Sequence, residues 1–145
     1  KVNARKLAKA VYKALGQTAR FKVELVFNDG ENMQNLNRVT RGVDSITDVL
    51  SYPSLEGIKG KVLRPEECKT ELEGKYIFMG SIVLCEEKIR AQAKEYGNTE
   101  KRERDYLMVH GLLHLFGYDH MNEEDKAEMR LKEKEVMAVL YPEAE

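Results

Sequence analysis

Leu7, Val11 and Leu15, with Ala4 and Ala8, recur at the spacing of one helix face, and Gly16 supplies a stop. A helix is therefore predicted over Asn3 to Leu15. The period then changes to two. Phe21, Val23, Leu25 and Phe27 alternate with Lys22, Glu24 and Val26, which predicts a strand left through the turn Asn28-Asp29-Gly30. Met33, Leu36 and Thr40 share one face of a short helix ending near Gly42, and Asp48 to Tyr52 reads as a brief buried strand closed by Pro53. From Ser54 to Gly74 the chain is charged and interrupted by Gly57, Gly60, Pro65 and Gly74; a loop is predicted, with an edge strand around Ile58–Leu63. Tyr76 to Cys85 is rich in β-branched and aromatic residues and is predicted as a strand. Glu86 to Tyr96 forms a helix before Gly97, and Thr99 to Phe116 a longer one that turns apolar after two turns and ends at Gly117. Asn122 then caps a last helix that runs to Tyr141 before Pro142. The sum is an α+β fold in which about five helices pack on a small mixed sheet of three to four strands, residues 1–145 forming a single domain.

Composition narrows the class without choosing a function. The 145 residues suffice for a core without staples, and 42% hydrophobic against 34% charged residues describes a folded globular chain. The longest stretch free of Asp, Glu, Lys and Arg is Tyr106–Tyr118, thirteen residues, too short to cross a bilayer. No apolar segment follows the basic start, so no secretory signal is expected, although the chain lacks an initiator Met and a removed signal stays open. Cys68 and Cys85 show no metal or redox spacing and read as free thiols of a reducing cytoplasm. Net charge is −1, but residues 1–27 carry seven cations (Lys1, Arg5, Lys6, Lys9, Lys13, Arg20, Lys22) against Glu24 alone. That asymmetry has two readings: a basic face for nucleic acid, or the solvated side of an amphipathic helix.

The histidines change the picture. All three fall within eleven residues, His110, His114 and His120 in HGLLHLFGYDH. Residues four apart stack on one helix face, so His110 and His114 aim at one point. Gly117 lets the backbone leave the helix and return, bringing His120 to the same point. Three imidazoles from a helix and its following turn leave a fourth tetrahedral position open, the arrangement of a catalytic zinc. Nickel, copper or iron would also suit such ligands. The spacing resembles the long zinc motif of metzincin proteases, giving a zincin-like metal helix, but Gly111 stands where the protease has its glutamate base. A peptidase needs that carboxylate to move a proton.

The same segment resembles the signature of the YbeY family of metal-dependent endoribonucleases, and a second block supports the likeness. Leu36-Asn37-Arg38-Val39-Thr40-Arg41-Gly42 and Asp44-Ser45-Ile46-Thr47-Asp48-Val49-Leu50-Ser51-Tyr52-Pro53 are similar to that family's Asn-x-x-x-Arg and Thr-Asp-Val-Leu-Ser-Phe-Pro region. Tyr52 replaces the usual Phe, the Pro usual before Thr is absent, and Ser81 stands where the family often has Asp. The resemblance implies a cytoplasmic hydrolase that cuts single-stranded RNA. It also implies work in small-subunit (16S-type) ribosomal RNA maturation and ribosome quality control, with ribosomal subunits or a ribosomal protein as partners and no membrane.

On that expectation His110, His114 and His120 hold one Zn²⁺ per chain, and His114 and Arg41 are the catalytic residues. Arg41 offers a guanidinium with two parallel donors for phosphate; without the resemblance it reads as a solvated helix-end arginine. Asp48 and Asp119 are the sequence candidates for orienting an imidazole, each with a plainer local reading beside it. Arg5, Lys6, Lys9 and Lys13 are candidates for the RNA path, and Tyr52, Phe116 and Tyr118 for stacking on bases, Phe116 suiting the core better. Two further readings stay open: an atypical metallopeptidase, and a non-catalytic ribosome-binding module whose metal is structural.

Overall fold

A computed structural model describes residues 3–142, so Lys1 of the basic run lies outside the described residues. The chain runs α1 (Ala4–Ala14), β1 (Phe21–Asn28), α2 (Gly30–Arg41), β2 (Val49–Pro53), β3 (Leu72–Glu73), β4 (Tyr76–Cys85), α3 (Glu86–Tyr96), α4 (Glu100–Leu115) and α5 (Glu123–Leu140). This is the expected α+β architecture, and the helix ends fall within a residue or two of the predicted ones where the caps are chemical. Asn3, Asp29, Thr99 and Asn122 each accept a hydrogen bond from the main-chain N–H three residues on, satisfying donors that the helix leaves unpaired. In α5 the acids Glu123, Glu124 and Asp125 also meet the positive end of the helix dipole.

The sheet is mixed, with β4 at its centre. β1 pairs with it in parallel on one edge; β2 pairs antiparallel on the other, and the short β3 continues that edge beside the start of β4. Both faces of β4 are covered. Ile82 and Leu84 enter the main core with Leu7 and Val11 of α1 and Leu112 and Leu113 of α4, while Val83 and Cys85 pack with Leu50 and Met33 beneath α2. A strand buried on both sides reads as a continuous apolar run, and YIFMGSIVLC does so. Cys68 and Cys85 are both buried free thiols.

The segment 54–74 corrects one expectation. No strand forms over Ile58–Leu63; Lys61 N–H instead bonds back to Ile58 C=O in a turn, and the chain continues through single 3-10 turns at Pro65–Glu67 and Lys69–Glu71. Ile58, Leu63 and Cys68 are buried as separate anchors rather than as one alternating face. The partner for the first residues of β4 is Leu72–Glu73, too short to leave a periodic signal.

Two close approaches set the position of α4. A β-carbon added at Gly111 would meet the Ile82 side chain at 3.0–3.2 Å, so the helix lies directly on β4. Gly117 has φ +99°, and a β-carbon there would stand 2.8 Å from the Lys59 main-chain nitrogen. Only glycine serves at that turn, because the excursion crosses it.

Candidate metal centre

α4 carries His110 and His114 one turn apart, and the turn at Gly117 returns the chain to place His120 beside them. One nitrogen from each ring can be chosen so that all three lie within 4.8 Å of one another. The ring centroids are 4.7, 5.7 and 5.2 Å apart for the pairs 110–114, 110–120 and 114–120. The facing Nε2 atoms of His110 and His114 are 3.2 Å apart. Two nitrogens on one tetrahedral ion at the usual zinc–nitrogen length stand about 3.3 Å apart, so the pair is already spaced for a shared cation. Among the described residues the group comprises these imidazoles alone, with no thiolate or carboxylate joining it.

The protonation chemistry suits ligation. Burial lowers the pKa of His114 to about 4, and the neighbouring His110 and His120 act in the same direction. The ring is therefore neutral at neutral pH, with its lone pair available. Its orientation is held by a hydrogen bond with the Tyr118 main chain. His110 is held differently. Its Nδ1 lies 2.6 Å from the Glu133 carboxylate, which also accepts a hydrogen bond of 2.8 Å from the Tyr106 hydroxyl. Burial tends to raise the Glu133 pKa, but the hydrogen bonds from His110 and Tyr106 prevail and hold it below the usual carboxylate range. An ionised carboxylate on Nδ1 fixes the tautomer that presents Nε2 and makes that nitrogen more basic.

Glu133 was not foreseen from the sequence, and one signal pointed to it. Met129, Glu133, Val136 and Leu140 form the buried face of α5, with a carboxylate where an apolar residue is expected. Neither expected carboxylate takes this role. Asp119 Oδ1 accepts from Met121 N–H at 3.2 Å, and Asp48 accepts from the Gln92 amide at 3.2 Å while its carbonyl receives Cys85 N–H. Both do line the cleft onto which the imidazoles open, about 560 Å³ in volume, which also includes Arg41, Ser51 and Pro53.

Arg41 thus reaches the histidines' cleft from the last turn of α2, far from them along the chain. Its guanidinium donates to the Ser51 carbonyl and lies 5.1 Å from the centre of the Tyr52 ring, whose hydroxyl is 2.7 Å from Thr40 Oγ1. Asn37, buried one turn earlier, donates to the Ser45 carbonyl at 3.0 Å and so ties down the loop between α2 and β2.

Other expected residues are elsewhere. Arg5 and Lys9 line a groove between α1 and β1 that shares no residue with this cleft. Phe116 and Tyr118 are 2% and 7% exposed, so both are core residues with no face for a base. Ser81 does not line the cleft either; its hydroxyl donates to Glu24 at 2.6 Å across β1 and β4.

Comparison with known proteins adds a separate finding. A family model described as Endoribonuclease YbeY matches residues 1–141. The Endoribonuclease YbeY of Clostridium acetobutylicum is 43% identical over 130 residues, covering 85% of this chain and 77% of that one. The protein of the same name from a Clostridium botulinum strain is 37% identical over 140 residues, covering 93% and 84%. Among solved structures, the solution structure of TM1509 from Thermotoga maritima superposes with a TM-score of 0.52 at 24% identity, covering 99% of this chain and 90% of the other, and so shares the fold.

Proposed function

The chain belongs to the YbeY endoribonuclease family, and from that premise we propose that it is a zinc-dependent hydrolase cutting single-stranded RNA. The observation that carries the reading is the set of three imidazoles whose facing nitrogens stand 3.2 Å apart and open onto a cleft containing Arg41. His110, His114 and His120 would hold the ion, which when bound supplies Lewis acidity towards a phosphodiester and an acidified water.

The chain's own groups do the rest. Glu133 accepts from His110 and keeps that ring's Nε2 presented, and the Tyr118 main chain does the same for His114. Arg41, anchored on the Ser51 carbonyl and the face of Tyr52, keeps further N–H donors for a non-bridging phosphate oxygen, where charge grows during cleavage. Gly111, packed on the Ile82 side chain, supplies no carboxylate at the metzincin glutamate position, which weighs against a peptidase. A metal group without a carboxylate or thiolate, open to a cleft, weighs against a purely structural ion. We place its work in small-subunit ribosomal RNA maturation and ribosome quality control, in the cytoplasm, with ribosomal subunits or a ribosomal protein as partners and residues 1–145 acting as one catalytic domain.

Labelled single-stranded RNA and casein, each incubated with zinc-loaded protein with and without chelator, test the reading. RNA cleavage abolished by chelator is expected; chelator-sensitive proteolysis without RNA cleavage would reverse it. Arg41→Ala is expected to lose RNA turnover while keeping its zinc, and undiminished turnover would take Arg41 out of the site.

A further inference from the structure

A second groove leaves the imidazoles between α4 and α5. Residues four apart stand one above the next on a helix, so Arg102, Tyr106, His110 and His114 form a single row on α4. α5 presents Lys126, Arg130 and Lys134 at the same spacing. Between the rows lie two adjoining cavities. One, about 280 Å³, touches His110, His120, Lys126 and Arg130; the other, about 380 Å³, touches Tyr96, Arg102, Arg130 and Lys134. Tyr106, Arg130 and Glu133 border both, making the groove continuous from the metal centre to Arg102.

Its lining is cationic in excess, with Arg102, Lys126, Arg130 and Lys134 against Glu103 and Glu133. Among the described residues, none of Arg102, Lys126, Arg130 and Lys134 forms an ion pair, so all four side chains remain available to an anion. The two acids offset part of that charge, Arg130 acting on Glu133. Glu133 is engaged by Tyr106 and His110, and Glu103 is buried, with burial raising its carboxyl above the ordinary range. Arg102 lies 5.0 Å from the centre of the Tyr141 ring, a contact that steadies the guanidinium without cancelling its charge. Tyr96, 61% exposed at the far end, offers an aromatic face.

We infer that this groove is a second track for the RNA backbone, in which Lys126, Arg130, Lys134 and Arg102 bind successive phosphates on one side of the scissile bond and Tyr96 stacks on a base beyond them. The inference rests on the nuclease reading and extends it. Four residues of helix advance about 6 Å, so the cation row has a step comparable to the phosphate repeat of an extended strand. From His110 to Arg102 the α4 row advances about 12 Å, room for two nucleotides past the metal. A strand bound both here and in the Arg41 cleft would cross the imidazoles, which line both.

The test uses zinc-loaded protein and a fluorescent, fully 2′-O-methylated single strand of about twelve nucleotides, with binding followed by anisotropy over a range of salt. Arg130→Ala/Lys134→Ala removes two exposed side chains of α5 and leaves the imidazoles and Glu133 in place. The double variant is expected to keep its zinc, bind several-fold more weakly, and lose about 1.4 from the slope of log affinity against log salt, the contribution of two single-strand phosphates. On cleavable RNA its KM rises while kcat holds. Wild-type protein that binds and cuts RNA, alongside a double variant with the same affinity and slope, would refute the track and spare the nuclease reading. Wild-type protein that neither binds nor cuts RNA would refute both.

Discussion

The protein contains two three-ring clusters with nearly the same dimensions. Tyr12, Phe21 and Phe116 meet with centroids 4.8, 5.7 and 5.1 Å apart; His110, His114 and His120 meet at 4.7, 5.7 and 5.2 Å. Size and spacing do not separate them. The aromatic trio forms by expelling water from three elements, α1, β1 and the end of α4, and its tilted and edge-on contacts satisfy the ring quadrupoles. The imidazole trio makes similar edge-on and stacked contacts, but with polar ring nitrogens brought together inside it. One nitrogen of each ring converges on a common point, burial and neighbouring rings resist protonation of His114, and a buried glutamate and a main-chain group hold two of the rings. Ligand nitrogens that converge and resist protonation are suited to hold a cation, whereas rings that meet only through apolar faces make a core.

His114→Ala should separate the two most sharply. RNA cleavage falls to background and zinc content drops, while the unfolding free energy of the metal-free protein changes by about 1 kcal/mol or less. A metal-free protein that unfolds outright on this change would assign the trio a structural role. Phe116→Ala should do the converse, costing about 3–5 kcal/mol in denaturant unfolding while the folded fraction still binds about one zinc. Glu133→Gln keeps the shape but removes the charge behind His110, and zinc affinity measured by chelator competition should fall roughly 10–100-fold. Unchanged affinity would make Glu133 a packing residue.

The smallest expected effect is on pH dependence, where the clusters act in opposite directions. His114 has its pKa lowered from 6.5 to about 4 in the folded state, so the unfolded chain takes up a proton that the folded one refuses. Stability of metal-free protein is therefore lost as pH falls from about 6.5 towards 4. Burial raises the pKa of Tyr12 from 10.0 to about 12, so the unfolded chain ionises first and stability is lost as pH rises between those values. Denaturant midpoints across pH for wild type, His114→Ala and Tyr12→Phe should show each loss disappear with its own residue. A decline that persists in the matching variant would assign it to other groups.

Much of the site could be read along the chain because it is local. His110 and His114 are related by a helical turn and His120 by a glycine exit, so sequence spacing alone implies convergence. Arg41 was reachable only through family resemblance, because the residues bringing α2 to the histidines are the loop held by Asn37 and the pairing of β2 with β4. Glu133 lies twenty-three residues from the ring it orients, and the expectation settled instead on Asp119, beside His120 in sequence, and on Asp48, within the second family-like block. The edge strand predicted over Ile58–Leu63 failed for a related reason: buried apolar residues there serve as isolated anchors, and alternation cannot distinguish anchors from a strand.

What the amino-acid order determined by itself, then, is what short-range chemistry decides: caps that end helices, a β-branched and aromatic run that forms a strand, and three imidazoles with one direction to face. Tertiary structure alone decided which carboxylate stands behind His110, which arginine enters the cleft, and that α5 lays a row of cations beside α4. Those outcomes depend on which faces pack across long chain separations. They follow from burying the apolar surfaces of whole elements together, and no local interval encodes that choice.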